Sequence, residues 1–507
     1  MDLRQRISLL TQALSQGIYG KDAELRLSLL AAVSGESLFL IGPPGVAKSM
    51  IARRMKLAFT GEAESFEYLM NRFSTPDEIF GPVSISSLRD GDNYQRMVEG
   101  YLPTAQVVFL DELWKASPSI QNTLLTVLNE RLFRNGRQTL QLPLRLLIAA
   151  SNELPAQGEG LEALWDRFLL RRVVTGISRQ DQFDRMLLDT TAEEPHIDET
   201  LRISEQELQL WTEAIRSVQV PPVILSVIHH FRQLNQSRTD AEPLYVSDRR
   251  WRRSVNILRT SAFLHGNQEV SLADTMLLAD VLWDEPSQRD YVIRLLSQSI
   301  TAAFADHFDM ELRQEQLDAF RDERGSHRLP ASGVRKAKVV HTFYHQVQHR
   351  QMRPILMYIS EYESLMSGQP EAFILIDDRK NTGAQILKKY ERSRHPGIFP
   401  KDVIQVQRTD DGQVQINDKV YPLVWDEDAA SEAPKPMADD ARQALLRLQQ
   451  QLQQCQTDFS ALQKEQSEVA RTHLFLPDDV QTHFRTALNA VQHTLNRLLG
   501  DCGEMLF

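Results

Sequence analysis

Hydrophobic and polar positions in the first half of the chain repeat with two different periods. Short apolar runs, each followed at once by glycine or polar residues, predict buried strands; these runs are 37–41, 107–110 and 146–150. Apolar positions at helical spacing then predict four helices: Ile203–Val218, Pro222–Leu234, Ser247–Leu264 and Leu272–Leu282. The pattern therefore predicts an α/β core over residues 1–200 and a helical lid over residues 201–285.

The second half of the chain begins and ends with helical patterns. One helix is predicted from 288 to 322, and two more follow residue 438, the first with a heptad seam of apolar residues. Each has an apolar stripe that it cannot bury alone. We therefore expect residues 286–335 and 438–507 to form one discontinuous three-helix bundle. Alternatively, the two helices after residue 438 form an exposed coiled coil that joins subunits.

The stretch between the two parts of this bundle alternates polar and apolar residues with the period of a β-strand. Asp410-Asp411-Gly412 separates two such runs and is typical of a hairpin turn. We expect a small β-rich domain at 336–425, inserted into the bundle and followed by an acidic, proline-containing linker at 426–437. A domain so far along the chain from the α/β core is interpreted as a partner-docking arm.

Composition excludes several classes of protein. Hydrophobic residues make up 42% and charged residues 25% of the 507 positions, a balance typical of soluble globular domains. No apolar run approaches the roughly 20 residues that a membrane helix needs. The N-terminal segment has charges between its leucines and is not a signal peptide, so we expect a cytoplasmic protein. The net charge of −11 argues against a dedicated nucleic-acid binder, although a local basic patch is compatible with it.

Cysteine and histidine supply no candidate metal site. Cys455 and Cys502 have no metal-ligand spacing, and Cys455 lies on the heptad seam, where a core role is expected. His341, His345 and His349 are spaced four residues apart, but they lie in a segment that is predicted to be extended. That spacing does not bring side chains together on a strand.

The first apolar run leads into Gly42-Pro43-Pro44-Gly45-Val46-Ala47-Lys48-Ser49, which has the spacing G-x-x-x-x-G-K-S and precedes a helical pattern. Glycines let the backbone curl so that successive N–H groups point at phosphate oxygens, and the helix N-terminus adds a favourable dipole. Lys48 is predicted to reach the β- and γ-phosphates of ATP, and Ser49 to bind Mg²⁺. The predicted nucleotide contacts of this segment are Gly42, Gly45, Val46, Ala47, Lys48, Ser49 and Met50.

The other two apolar runs also end in residues that suit ATP hydrolysis. The second ends in Asp111-Glu112, where Asp111 is predicted to hold Mg²⁺ and Glu112 to deprotonate the attacking water. The third ends in Ser151-Asn152, where the Asn152 amide is predicted to position that water. The alternative for Asn152 is a capping or turn role.

Two arginines are candidates for stabilising transition-state charge. Arg167 lies on a predicted helix just before the last core strand, from which it can reach the γ-phosphate of a neighbouring subunit. The alternative is pairing with an acid of its own helix, such as Asp166. Arg249 lies in the first turn of a lid helix capped by Ser247, from which it can point at the nucleotide. The alternative for its neighbours is a solvated or RNA-binding face, formed by Arg250, Arg252 and Arg253.

These motifs, in this order, resemble the AAA+ ATPases, and their details resemble the MoxR family. The segments that carry the resemblance are GPPGVAKS (42–49), NRFSTPDEIFGPVS (71–84), the stretch 100–131, IAASNE (148–153), LEALWDRF (161–168) and VSDRR (246–250). The tripeptide S-P-R of MoxR proteins is Ser247-Asp248-Arg249 here, which keeps the arginine. The stretch YVSDRRW and the long C-terminal extension are most similar to the RavA (regulatory ATPase variant A) branch.

This resemblance implies a homohexameric ring that binds ATP and Mg²⁺ between subunits and acts as a chaperone-like remodeller in stress. It implies that an insert at 82–101 and a hairpin at 132–144 face the pore. It also implies that Tyr19 lies beside the adenine. The implied partners are inducible lysine decarboxylase and a ViaA-type von Willebrand factor A-domain protein, with no membrane span.

Two other functions stay open from the sequence. A nucleic-acid motor needs basic pore loops, whereas the insert places Arg89 and Arg96 among Asp90, Asp92 and Glu99. A metal-chelatase ATPase subunit belongs to a related branch, but no metal-binding module is visible in the sequence.

Overall fold

The computed structural model describes residues 1–61, 64–86, 89, 94–155, 160–190, 195–239, 241–323 and 439–506, with short backbone stretches between 337 and 425. The chain divides into two compact units. The first contains Met1–Phe308 and Asp458–His493, and the second contains Asp309–Thr457 and Thr494–Phe507.

A five-stranded parallel sheet forms the centre of the first unit. In the order β2-β3-β6-β1-β7, its strands are Ser65–Leu69, Val107–Asp111, Leu146–Ser151, Leu38–Ile41 and Leu170–Val173. The three predicted apolar runs are the central strands, and each is buried on both faces, which accounts for continuous rather than alternating hydrophobicity. Because all strands run the same way, their carboxyl ends share one edge of the sheet, the carboxyl edge, and their starts share the amino edge.

Helices cover the sheet and connect its strands. They are α1 (Leu3–Leu14), α2 (Asp22–Ser34), α3 (Lys48–Met55), α4 (Pro76–Phe80), α5 (Pro118–Glu130), α6 (Glu162–Trp165) and α7 (Gln180–Leu188). Strands β4 (Leu132–Asn135) and β5 (Gln138–Gln141) form the antiparallel hairpin predicted at 132–144.

The base of the 82–101 insert is tied to this hairpin. Val83 and Arg96 form an isolated antiparallel bridge. The Asn135 side chain bonds the backbone of Arg96 twice: its Oδ1 accepts from the N–H at 2.7 Å, and its Nδ2 donates to the carbonyl at 3.1 Å. The two predicted pore-facing segments are therefore one connected surface at their bases.

The lid contains α8 (Glu205–Ser217), α9 (Pro222–Gln236), α10 (Asp248–Leu264) and α11 (Leu272–Thr275). The prediction of a single helix from 272 to 282 is wrong, because a 3₁₀ segment, Met276–Asp280, follows α11. Ser271 and Asp274 cap the start of α11 reciprocally.

The predicted helix from 288 to 322 is also wrong in its continuity. It consists of α12 (Arg289–His307) and α13 (Met310–Glu323), separated at Asp309, whose φ of +47° is incompatible with a continuous helix. Two long helices, α14 (Asp439–Arg471) and α15 (Asp478–Leu506), complete the described C-terminal part. The predicted seam of α14 is buried at Leu445, Leu448, Leu452, Cys455 and Phe459, whereas Leu462 and Val469 are half-buried. Both cysteines are buried.

Between α13 and α14 the described backbone is entirely in short strands. These strands are β8 (Ala337–Val339), β9 (Ile355–Met357), β10 (Glu371–Ala372), β11 (Ile376–Asp377), β12 (Gln405–Arg408), β13 (Val414–Ile416), β14 (Lys419–Tyr421) and β15 (Leu423–Trp425). They form two four-stranded sheets, in the orders β10-β12-β13-β14 and β11-β9-β8-β15. The predicted hairpin is present, since β12 (Gln405–Arg408) pairs antiparallel with β13 (Val414–Ile416).

Two sequence expectations concern the remaining parts of the chain. His341, His345 and His349 lie outside the described residues. Within the described part, none of the helices combines the length and apolarity needed to cross a bilayer.

Candidate functional site

The phosphate-binding loop predicted at 42–49, the P-loop, connects β1 to α3 at the carboxyl edge of the sheet. Gly42 has no room for a side chain, because a Cβ there would collide with the carbonyl oxygen of Val174 at the end of β7. Gly45 and Ala47 have φ angles of +81° and +68°, so the loop turns twice through the left-handed region before the helix begins at Lys48. This backbone supplies the curl and the helix N-terminus that phosphate binding needs.

Lys48 links the P-loop to the end of the neighbouring strand. Its Nζ donates to the carbonyl of Gly42 at 2.5 Å and to Oδ1 of Asn152 at 2.9 Å. Burial lowers the pKa of Lys48, and the nearby carboxylates of Asp111 and Glu112 oppose that effect. The structure therefore brings together four of the residues that the sequence singled out, from three different strand ends.

The acidic pair, Asp111 and Glu112, lies at the end of β3, and Glu112 has an unusual backbone conformation. Glu112 has a φ of +52°, and its N–H donates to Oδ1 of Asp111 at 3.0 Å. Its carboxylate lies 3.3 Å from the Lys115 ammonium. A non-glycine residue in this region is strained, and such strain is concentrated at functional sites. Asp111 and the Ser49 hydroxyl are hard oxygen donors on adjoining elements, a donor set that suits Mg²⁺.

Tyr19 lies at the same edge. Its hydroxyl donates to Oδ2 of Asp189 at 2.8 Å, and this carboxylate raises the pKa of Tyr19. Two residues further on, the buried Lys21 donates to the carbonyl of Thr175 just after β7, at 2.5 Å. Sequence reasoning included Lys21 in the segment 17–21 around Tyr19 but gave it no role, and it missed Asp189, which only its contact with Tyr19 in the fold reveals.

The two candidate arginines lie together, but at the amino edge. Arg167 is in the turn after α6, where its Nη1 donates to the carbonyl of Ala163 at 3.1 Å and lies 3.9 Å from Asp166. Arg249 donates to the side chain of Asn129 at the end of α5. Burial lowers the pKa of Arg249, and the positive charge of Arg167 lowers it further. Two guanidinium groups are thus held close to each other.

The sheet itself separates this pair from the P-loop. The turn after Arg167 leads to Leu170, whose N–H donates to the carbonyl of Ser37 at the start of β1. Lys48 follows the other end of β1, and a four-residue strand spans about 13 Å. The structure therefore does not bring Arg167 and Arg249 together with Lys48 within one subunit.

Asp166 holds the arginine pair in place. Its carboxylate accepts from the Ser247 hydroxyl at 3.2 Å and from Nε of Arg250 at 3.3 Å, which fixes the start of α10 against the Arg167 turn. Arg250 is only 3% exposed and also donates to the carbonyl of Val281 at 2.7 Å. Sequence reasoning treated Asp166 only as a possible ion-pair partner and missed this positioning role.

The solvated or RNA-binding face is wrong for two of its three arginines. Arg250 is buried, and Arg253 forms an ion pair with the buried Glu36 at 2.8 Å, just before β1. An arginine of the 82–101 insert is also engaged within the protein, since Arg96 pairs with Asp77 and donates to the carbonyl of Gly81 at 2.6 Å. These cations neutralise protein groups rather than forming a basic surface.

Aromatic side chains connect the acidic pair with the Arg167 turn. Trp114 follows Glu112 by two residues and stacks on Phe39 of β1, with ring centroids 5.1 Å apart. Trp165, two residues before Arg167, meets the edge of the same ring at 5.1 Å and Trp114 at 5.9 Å. Phe39 therefore contacts a residue from each edge of the sheet.

One further cluster in the described residues has the composition of a metal site. His265, Asp274 and His473 place their ligand atoms within 4.8 Å of one another. However, His265 donates from Nδ1 to the Ser261 carbonyl at 2.7 Å and accepts at Nε2 from the N–H of Leu474. His473 accepts at Nδ1 from two following backbone N–H groups and contacts Asp274 through Nε2 at 3.1 Å. Every ring nitrogen is engaged, so the cluster joins the lid to the 473–476 segment.

The sequence of the chain matches known protein families and several relatives. A family model described as the MoxR domain of MoxR–vWA–β-propeller ternary systems matches residues 5–213, and one described as an AAA lid domain matches residues 223–296. An uncharacterised protein of Methanocaldococcus jannaschii is 35% identical over 284 residues, which are 56% of this chain and 72% of that protein. A second one is 36% identical over 300 residues, 59% and 76% of the two chains.

A protein of Mycobacterium tuberculosis named chaperone MoxR1 is 28% identical over 160 residues, which are 30% of this chain and 40% of that protein. The two family models together span the P-loop, the acidic pair, Asn152 and both arginines. The parallel sheet, the lid helices and these matches show that the chain belongs to the MoxR family of AAA+ ATPases.

Proposed function

We propose that this chain hydrolyses ATP in a ring of identical subunits, with each nucleotide bound between two neighbours. The observation that carries the proposal is the division of the site between the two edges of the sheet. Phosphate-binding and acidic residues lie at the carboxyl edge, and the paired arginines lie at the amino edge. A head-to-tail arrangement of copies puts the two halves together, and the resemblance in sequence favours six subunits.

In this mechanism each residue at the carboxyl edge has one role. Lys48 turns from its internal acceptors toward the β- and γ-phosphates, while Asn152 keeps the attacking water in line. Glu112 takes a proton from that water while the water oxygen forms a bond to the γ-phosphorus. The bond between the γ-phosphorus and the oxygen that leaves with ADP breaks, which gives ADP and phosphate. Mg²⁺ held by Ser49 and Asp111 neutralises phosphate charge when bound. Tyr19 borders the adenine.

The arginines then act on the neighbour's nucleotide. Held beside each other by Asp166 and Asn129, Arg167 and Arg249 present two positive charges to the γ-phosphate of the next subunit. Their mutual repulsion in the free chain is relieved when an anionic phosphate lies between them.

A mixing experiment tests this arrangement. Arg167→Ala should bind ATP normally and lose hydrolysis, and Lys48→Gln should lose binding. Mixed rings should regain turnover, because an intact Lys48 site then meets an intact Arg167 from its neighbour. Arg252→Ala, on the exposed side of α10, is the matched control and should behave as wild type. Absence of regained turnover in well-mixed assemblies would leave Arg167 with only its own-subunit contacts.

For the cellular role we infer chaperone-like remodelling, supported by the similarity to a relative named chaperone MoxR1. The matching family model names ternary systems with a vWA protein, which supports a von Willebrand factor A-domain partner. Membership of the RavA branch, a role in stress and binding of inducible lysine decarboxylase rest on the resemblance in sequence alone.

We further infer that the described strands between 337 and 425 belong to a docking domain inserted into the bundle. Replacing 336–425 by a short linker should keep ATPase activity and abolish decarboxylase capture, with vWA-protein capture measured in parallel. Decarboxylase binding that survives the deletion would contradict the docking role, and loss of ATPase activity would contradict the separation of the two domains.

A further inference from the structure

The helix α7 (Gln180–Leu188) exposes an apolar stripe in the isolated chain. None of its nine residues is buried, and Phe183, Met186 and Leu187, which follow one face at i, i+3 and i+4, are 40%, 39% and 63% exposed. A helix of this length has little stability of its own in water. An amphipathic helix normally turns its apolar face to a partner, so this stripe requires one.

Helix α7 is attached to the carboxyl edge, beside the nucleotide half of the site. Asp189, directly after the helix, accepts the hydroxyl hydrogen of Tyr19 at 2.8 Å. Near its other end, the Gln182 side chain borders Gly20, where an added Cβ would lie 3.2 Å from its amide oxygen. Whatever covers the stripe therefore lies next to the adenine end of the site.

The amino edge also carries an exposed aromatic residue, close in sequence to Arg249. Tyr245 is 81% exposed and lies four residues before Arg249. The segment that presents it is fixed, because Leu244 exchanges two hydrogen bonds with the Asn235 side chain, at 3.0 and 2.9 Å. A large apolar side chain on an ordered segment is suited to a packed interface.

We propose that the α7 stripe of one copy packs against the Tyr245 segment of the next copy. The proposal rests on the proposed function, in which Arg167 and Arg249 complete the neighbour's site. The approach that carries those arginines to the nucleotide also carries Tyr245 toward the carboxyl edge, where α7 lies. A second copy is therefore the occupant, and the contact is heterologous: two different patches meet in every interface. Because Asp189 joins α7 to Tyr19, this interface contacts the nucleotide half of the site directly.

Charge insertion in the stripe tests the proposal. Leu187→Glu should weaken assembly of the full chain with Mg²⁺ and a non-hydrolysable ATP analogue by about tenfold or more, measured by sedimentation velocity, because a buried unpaired carboxylate is costly. Turnover should fall in parallel, whereas analogue affinity at low protein concentration should stay within about twofold. Leu187→Met should assemble as wild type, and so should Leu210→Glu, the matched change at a residue that is 68% exposed on α8. Normal assembly of Leu187→Glu would overturn the proposal.

Cross-linking identifies the patch on the other copy. Both native cysteines are buried, so Leu187→Cys and Tyr245→Cys would supply the accessible thiols in the described residues. Mixing the two single variants with a short bis-maleimide should give dimers only, and the double variant should give a ladder of larger species. Cross-linking between two Leu187→Cys copies and not to Tyr245→Cys would overturn the proposed pairing.

The two proposals fail in different ways. If Arg167→Ala and Lys48→Gln restore turnover when mixed while Leu187→Glu still assembles, the α7 contact is wrong and the divided site stands. If the wild-type protein hydrolyses ATP as a monomer, both are wrong.

Discussion

The two edges of the parallel sheet are built from different kinds of interaction. At the carboxyl edge, the positions of Gly42, Lys48 and Asn152 follow from strand ends and backbone curvature. At the amino edge, Arg167 and Arg249 are positioned by side chains from the core and the lid, above all by Asp166. The first edge is formed by local chain geometry, whereas the second combines a turn of the core, which carries Arg167, with a lid helix, which carries Arg249.

In the proposed function, this difference separates ATP binding from ATP hydrolysis. A subunit on its own has the groups that hold the phosphates, whereas the positive charge that stabilises the transition state comes from its neighbour and depends on the contacts between that neighbour's core and lid. The proposal therefore predicts that a lid movement changes turnover while the groups that bind ATP stay in place.

The largest expected effect comes from removing the proposed general base at the carboxyl edge, Glu112. Glu112→Gln should lower kcat by about a thousandfold, because general-base catalysis contributes on the order of 10²–10⁴. ATP binding should be retained, and steady-state phosphate release with a binding isotherm measures both. Turnover equal to wild type would assign the proton transfer to another group.

Lys48→Gln should weaken ATP binding by about a hundredfold, since a charge-assisted contact to phosphate is replaced by a neutral one. The amino edge should be unaffected, so this variant should still activate its neighbours in mixed assemblies. Calorimetric titration with ATP gives the affinity, and an unchanged dissociation constant would contradict the assigned contact.

Asp166→Asn removes the charged contacts that hold the amino edge and leaves the carboxyl edge unchanged. We expect kcat to fall about tenfold with ATP affinity nearly unchanged, because both arginines lose their support while the P-loop does not. The buried Arg250 also loses its carboxylate, which should lower the free energy of unfolding by about 2 kcal/mol. Steady-state kinetics gives kcat, and urea unfolding gives the free energy of unfolding. A change in ATP affinity without a change in kcat would contradict the role of Asp166 in positioning the two arginines.

The smallest effect on turnover is expected at the histidine cluster, which lies at neither edge. Burial lowers the pKa of His265 to about 4. The unfolded chain, with a pKa near 6.5, takes up the proton first, so stability is present above about pH 6.5 and is lost as the pH falls toward 4. The loss should be about 3 kcal/mol across that window. His265→Gln should flatten this dependence in urea unfolding, and an equally steep curve would exclude His265 as its source.

The carboxyl edge could be predicted from the sequence because each of its motifs is contiguous with the strand that positions it. The strand order and the joining of Lys48 to Asn152 then follow from a parallel sheet. The location of Arg249 could not be predicted, since a helix start in the lid says nothing about which edge the lid contacts.

The role of Asp166 and the helix break at Asp309 could not be predicted from the sequence either, because both depend on tertiary packing. Asp166 belongs to the segment LEALWDRF, but that segment does not reveal its role, which comes from partners 81 and 84 positions away. The break at Asp309 occurs within uninterrupted helical periodicity, where one left-handed residue is enough to end a helix. Contacts of this kind depend on tertiary packing rather than on local spacing.

The aromatic cluster around Phe39 gives the molecule an intrinsic optical probe. Trp114 and Trp165 lie 5.9 Å apart at an interplanar angle of 72°, close enough for their excited states to interact. A movement of either turn changes that geometry, so near-ultraviolet circular dichroism and tryptophan emission should report on it without an added label. Phe39→Leu would remove the shared ring and leave both indoles, which separates the signal of the cluster from that of its parts.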